Sequence, residues 1–292
     1  PEKMLAEHLG YQQIFSDVTP YDHKRHQCHE RLRIGYISSD FRWHVMYFFY
    51  FQLLAGHDCD AFEVYCYCLN DKQDEFTRAV RSQADVWRDV AEKPYEEIAQ
   101  LIFQDEIDIL YDLAGHSAYS GLPVLAWKPA PVQLSGLGYM DTTGLPTVDY
   151  FLADSWCAPA AVEPCFTEKL LRLTSLFCYT GRLDVAEPKG APCREKGYMV
   201  FGVFNHYRKF TDEMLSAWRK ILERVPQSRL LLKNQLFLDP EAVDIAYGRL
   251  QALGFDMDRV WFEAGSIAYM DRYLDVDIAL DTYPYPGGGT TC

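Results

Sequence analysis

Apolar residues recur along the first half of the chain in short β-branched and aromatic runs, at 33–38, 62–68, 107–113, 132–137, 149–153 and 169–173, which predict strands. Between them, amphipathic spacing predicts helices over 47–54, 74–83 and 95–104. The last opens behind Pro94 and carries Glu96 and Glu97 near its start, which suits the fixed φ of proline and the positive end of the helix dipole. Residues 181–197 read GRLDVAEPKGAPCREKG, rich in Gly, Pro and charge without periodicity, and predict an interdomain linker. The pattern then restarts, with strands over 198–204, 229–232, 260–262 and 277–280 and helices over 212–224 and 240–253. Alternating strands and helices imply mostly parallel sheets. The expected organisation is a helical lead-in over 1–30, one α/β unit over 31–180, the linker, and a second α/β unit over 198–292, with a ligand cleft between the two.

Composition narrows the class. With 292 residues, 49% hydrophobic and 24% charged, the chain is long enough for two cores and far from the disordered regime. The most apolar run, 45–56, is broken by Gln52 and falls short of the ~20 residues of a membrane helix, so neither a span nor a signal peptide is expected. A net charge of −14 argues against nucleic acid as a partner, and any anionic ligand must meet a local cationic or helix-terminal pocket. Nine cysteines without paired CxxC spacing point to reduced thiols in a cytoplasm rather than a disulfide framework or zinc ribbon. The start at Pro1 and the stop at Cys292, just after a Gly-rich turn, suggest a fragment of a longer chain.

Four strand-end segments carry candidate chemistry. Ser38-Ser39-Asp40-Phe41-Arg42-Trp43-His44 places a carboxylate four residues before an imidazole whose tautomer it can fix; alternatively Asp40 caps the next helix and His44 packs at its start. Asp112-Leu113-Ala114-Gly115-His116, followed by the Gly-rich stretch from Leu137 and Gly138 through Thr142 and Thr143 to Gly144, offers either close backbone approach to a ligand or plain turns. Asn205-His206-Tyr207-Arg208-Lys209 supplies a lysine suited to a phosphate. Tyr283-Pro284-Tyr285-Pro286-Gly287-Gly288-Gly289-Thr290-Thr291 is expected to open a helix whose N–H groups and hydroxyls suit a diphosphate, although it is neither a P-loop nor a GxGxxG fingerprint. His23, His26, Cys28 and His29 are ligand-type residues, but without a closing second pair they do not specify a zinc site. Cys66 and Cys68 share one strand face and are expected to be buried rather than reactive.

Taken in order, RLRIGYISSDFRWH, DLAGH, KPAPVQLSGLGYMDTTG, FGVFNHYRKFT, VPQSRLLLK and DIALDTYPYPGGGTT resemble the catalytic region of the O-linked N-acetylglucosamine transferase family, particularly its bacterial and SPINDLY-like members, over nearly all of 31–292. The resemblance implies a GT-B architecture of two Rossmann-like lobes, the second incomplete. It also implies metal-independent, inverting transfer of N-acetylglucosamine from UDP-GlcNAc, a co-substrate rather than a cofactor, to Ser or Thr of proteins. It places Asp40 and His44 at the active site, Leu137 and Gly138 along the sugar, Lys209, Thr290 and Thr291 on the diphosphate, and Asn205, His206, Ser266 and Gly289 in the donor set. Asp112, His116, Thr142 and Thr143 are possible cleft residues. Tetratricopeptide repeats and a further active-site histidine are expected upstream of Pro1. Animal members carry a basic residue just after the position of His116 and others near 268–274, regions in which this chain has Ala118 and Asp271, and the chain lacks their large insertion between lobes. Transfer from another nucleotide sugar, such as GDP-fucose, and a catalytically silent binding domain are the alternatives.

Overall fold

The computed structural model describes residues 2–292 apart from 28, 177–178, 182–186, 188–189 and 267–268. Much of the predicted linker, and Cys28, therefore lie outside the described residues. The chain divides into two compact units, Pro1–Thr180 and Gly181–Cys292.

The first unit begins with α1 (Glu2–Tyr11) and continues with β1 (Leu32–Ser38), α2 (Tyr47–Ala55), β2 (Phe62–Cys68), α3 (Glu75–Arg81), β3 (Val86–Asp89), α4 (Tyr95–Gln104), β4 (Ile109–Asp112), β5 (Val132–Gly136), β6 (Tyr150–Asp154) and β7 (Lys169–Leu173). All seven strands are parallel, in the order β3-β2-β1-β4-β5-β6-β7. Both faces of the sheet are covered, as a parallel sheet requires. Val64, Cys66 and Cys68 of β2 join Tyr50 and Leu54 of α2 in one core, whereas Tyr65 and Tyr67 face Ile98 and Ile102 of α4 in the other. Each such isoleucine, fully buried, contributes roughly 1.5–3 kcal/mol. The Cys66 and Cys68 thiols are buried, and burial pushes Cys68 up to about 11, which keeps both protonated and unreactive. At the start of α3 the Asp74 carboxylate accepts the Thr77 N–H while the Thr77 hydroxyl bonds back, a capping box that contributes about 1 kcal/mol. The sequence pattern misses β3, an edge strand of four residues with no alternation of its own.

The second unit comprises α5 (Cys193–Lys196), β8 (Met199–Val203), α6 (Asp212–Arg224), β9 (Ser228–Asn234), α7 (Pro240–Ala252), β10 (Val260–Ala264) and β11 (Ile278–Ala279), with parallel strands ordered β10-β9-β8-β11. The end of the expected linker is thus a helical turn, fixed to the sheet by the Asp277 carboxylate, which accepts the backbone N–H groups of both Cys193 and Val200. Met214, Leu215, Trp218 and Leu222 form the buried stripe of α6, which starts where the Thr211 hydroxyl accepts the Met214 N–H.

In each sheet the chain order reverses beside its first strand, at β1/β4 and at β8/β11. Neighbouring connections leave on opposite faces there, opening a crevice at the carboxyl ends of the strands.

Candidate active site

The four candidate segments sit at these two crevices, two on each unit. In the first unit, the Asp40 carboxylate after β1 is buried, with Oδ2 3.3 Å from His44 Nδ1 and Oδ1 3.5 Å from Arg42 Nη2. The Asp40 N–H donates to Ser38 Oγ and the Tyr50 hydroxyl donates to the Asp40 carbonyl, so the loop is pinned from both sides. Asp40 caps no helix, since α2 begins at Tyr47 behind Met46 with no side-chain cap. Burial lowers the pKa of His44 against the pull of Asp40 and raises that of Asp40 against His44 and Arg42. The Met46 N–H donates to His44 Nδ1 at 3.4 Å, so the ring also packs at the start of α2; in the tautomer that instead carries its proton on Nδ1, toward Asp40, the Nε2 lone pair is left as a base.

Asp112, at the end of the adjacent β4, is fully buried and accepts from Ser135 Oγ at 2.9 Å, Gly115 N at 2.7 Å and Ala114 N at 3.3 Å. Burial raises its pKa to about 6, opposed by these bonds. Its role is to hold the turn that presents His116, whose Nε2 lies 2.8 Å from the Thr143 carbonyl. His116 is surrounded by His8 and Tyr11 from the lead-in and by Tyr139, and burial lowers its pKa. Thr142 and Thr143 are buried: both hydroxyls and the Thr143 N–H bond to the buried Glu168 carboxylate, which fixes the turn.

Leu137 adopts a left-handed backbone, φ +72°, and is buried. At Gly138 a Cβ would lie 2.1 Å from the Leu113 carbonyl oxygen, so two strand-end loops touch through the absence of a side chain. Gly138→Ala is therefore expected to cost more than the ~1–3 kcal/mol of ordinary overpacking, because a backbone carbonyl cannot rotate aside. A melting temperature within error of the parent protein would refute this contact.

In the second unit, Asp281 after β11 organises the crevice. It accepts from Asn205 Nδ2, the Thr282 and Gly287 N–H groups and the Thr291 hydroxyl, and these bonds hold its carboxyl below the usual range in spite of burial. Asn205 is itself buried, and its carbonyl accepts from Asn234 Nδ2 at the end of β9. Lys209 Nζ donates to the Pro286 carbonyl at 2.9 Å and stands 4.5 Å over the Tyr285 ring. Burial lowers the pKa of Lys209 against the opposing charge of Asp281. His206 is exposed and caps a short turn, its Nδ1 accepting the Arg208 N–H. Ser266 is exposed after β10, and Gly289 and Thr290 lie on the Gly-rich turn. In that turn the Thr291 and Cys292 N–H groups both donate to the Gly288 carbonyl, the second across four residues as in the first turn of a helix. Lys209, Asn205 and the 287–291 turn are thus brought together with Tyr285 of the same segment, while Asp281 joins them without having been singled out by sequence. An acidic residue at a strand end, six before a glycine run, is the signal that marks Asp281 in retrospect.

The sequence profile of glycosyl transferase family 41 matches residues 10–183, more than half of the chain. The chain belongs to this family. Among curated proteins it is 33% identical over 290 residues to a Petunia hybrida protein named probable UDP-N-acetylglucosamine–peptide N-acetylglucosaminyltransferase SPINDLY, and 36% identical over 269 residues to the Arabidopsis thaliana protein of the same name. The alignments take in 97% and 89% of this chain but only 31% and 29% of those relatives, so the family 41 chain spans under a third of their length. Among solved structures, a mutant of the Thermobaculum terrenum O-GlcNAc transferase superposes with a TM-score of 0.87 at 32% identity, covering 98% of this chain and 55% of that one. This likeness assigns the two parallel-sheet units of the family 41 chain to the GT-B glycosyltransferase class.

Proposed function

We propose that this chain is the catalytic region of a protein O-glycosyltransferase that moves N-acetylglucosamine from a UDP donor to Ser or Thr hydroxyls with inversion at the anomeric carbon. The observation that carries the reading is the Asp281-ordered turn beside Lys209 and Asn205 at the crevice of the second sheet, a cationic and amide-rich site in a chain of net charge −14. The names of the SPINDLY relatives and of the Thermobaculum enzyme support the same donor.

The acceptor oxygen attacks the anomeric carbon as the bond to the diphosphate oxygen breaks. His44 Nε2 takes the hydroxyl proton in the tautomer protonated on Nδ1, which the Asp40 carboxylate 3.3 Å away favours against the longer Met46 N–H contact. Negative charge developing on the leaving UDP is met by the Lys209 ammonium and by backbone amides of the 288–290 turn, fixed dipoles that need no reorganisation during the reaction. The lysine and these amides stabilise the leaving group without a metal at the diphosphate.

Calorimetric titration of UDP and then GDP into the chain, without added metal, tests the donor. Saturable binding of UDP with GDP weaker by at least about tenfold is expected. Preference for GDP would move the donor to a guanosine sugar, and binding of neither would overturn the donor reading in favour of a silent domain.

A further inference from the structure

The histidine patch before β1 lacks a closing partner in sequence, and the fold supplies one from 79 and 82 residues away. Asp108, immediately before β4, places Oδ1 2.7 Å from His26 Nε2 and Oδ2 3.0 Å from His29 Nδ1. The ligand atoms of the three side chains lie within 4.8 Å of one another. All three are largely sheltered, with side-chain exposures of 16%, 13% and 11%.

The surroundings match what a bound ion needs from its neighbours. Glu106 Oε2 is 3.5 Å from Nε2 of His29, the ring nitrogen facing away from Asp108. The Arg33 backbone N–H donates to Asp108 Oδ2 at 2.8 Å and orients the carboxylate. A histidine ligand characteristically offers one nitrogen to the metal and its other N–H to a carboxylate. With an ion on Nδ1, the ring can donate Nε2–H to Glu106.

We propose that His26, His29 and Asp108 form a binding site for a divalent transition-metal ion, zinc by preference, that staples the lead-in segment to the sheet. Two imidazoles and a carboxylate are a three-ligand set with a fourth position for water, and the mixed nitrogen and oxygen donors suit a borderline ion rather than calcium or magnesium. The site lies where β1 and β4 begin, at the opposite end of these strands from Asp40 and His44, so its role is to hold the fold and not to act on the donor. This inference stands independently of the proposed transferase activity.

The test is titration of the chelator-treated chain with Zn²⁺ and, for its spectrum, Co²⁺. One saturable equivalent is expected, giving Co²⁺ ligand-field bands without a thiolate charge-transfer band, and raising the melting temperature. His26→Ala and His29→Ala should each lose that equivalent, Glu106→Gln should weaken it about tenfold, and His23→Ala, whose ring bonds to the Lys128 carbonyl, should leave it intact. The absence of a saturable equivalent, a thiolate band, or binding unchanged in both His26→Ala and His29→Ala would overturn the proposal and leave a hydrogen-bonded clasp. Should either variant fail to fold, the parent's Co²⁺ spectrum together with the His23→Ala control decides.

Discussion

His44→Ala is expected to lower kcat by about 10²- to 10⁴-fold, the range that a positioned general base contributes. UDP affinity should stay close to that of the parent protein, since the lysine and the glycine turn proposed to hold the diphosphate belong to the other unit. The pH profile gives a readout that a purely structural histidine would not move. Burial lowers the pKa of His44 from 6.5, so kcat/KM should fall as pH drops through a limb below 6.5, where the ring gains its proton. Asp40 raises the pKa of that ring, so Asp40→Asn should shift the limb further down while slowing the reaction through loss of the tautomer anchor. Full turnover by His44→Ala would assign the proton to another acceptor, such as a donor phosphate oxygen.

Lys209→Ala should weaken UDP binding by about 1.5–3 kcal/mol, roughly 10- to 150-fold, the value of a charge-assisted contact whose loss leaves an anion unmatched. The lysine is positioned before the diphosphate arrives. Its ammonium is held by the Pro286 carbonyl and the Tyr285 ring, so little side-chain entropy is lost on binding. Lys209→Arg keeps the charge, but a planar fork replaces a compact ammonium in a space already lined by Tyr285, so an intermediate loss is expected. The parent's affinity should fall with salt more steeply than that of Lys209→Ala, because one screened charge pair is gone. Calorimetry at two ionic strengths measures both effects, and an unchanged dissociation constant for the alanine variant would remove Lys209 from the diphosphate.

The kind and order of most elements were legible in the sequence, β3 excepted. Periods of two and 3.6 leave a local mark that survives in any context, so β2 and α4 fall where the apolar pattern puts them, and alternating strands and helices require parallel sheets. It also put the chemistry at strand ends, because polar and Gly-rich residues directly after a buried run have nowhere else to go. Only the tertiary structure decided which strand ends are neighbours, and which polar groups face inward. Thr142 and Thr143 give no local sign that Glu168, 26 and 25 residues on, accepts both hydroxyls. Asp281 becomes the centre of the second site through Asn205, 76 residues away, and Asp108 closes a histidine patch some 80 residues before it. The physical reason is the same in each case. A contact between side chains distant in sequence costs loop-closure entropy that the whole fold meets at once, and it leaves no periodic trace in either segment.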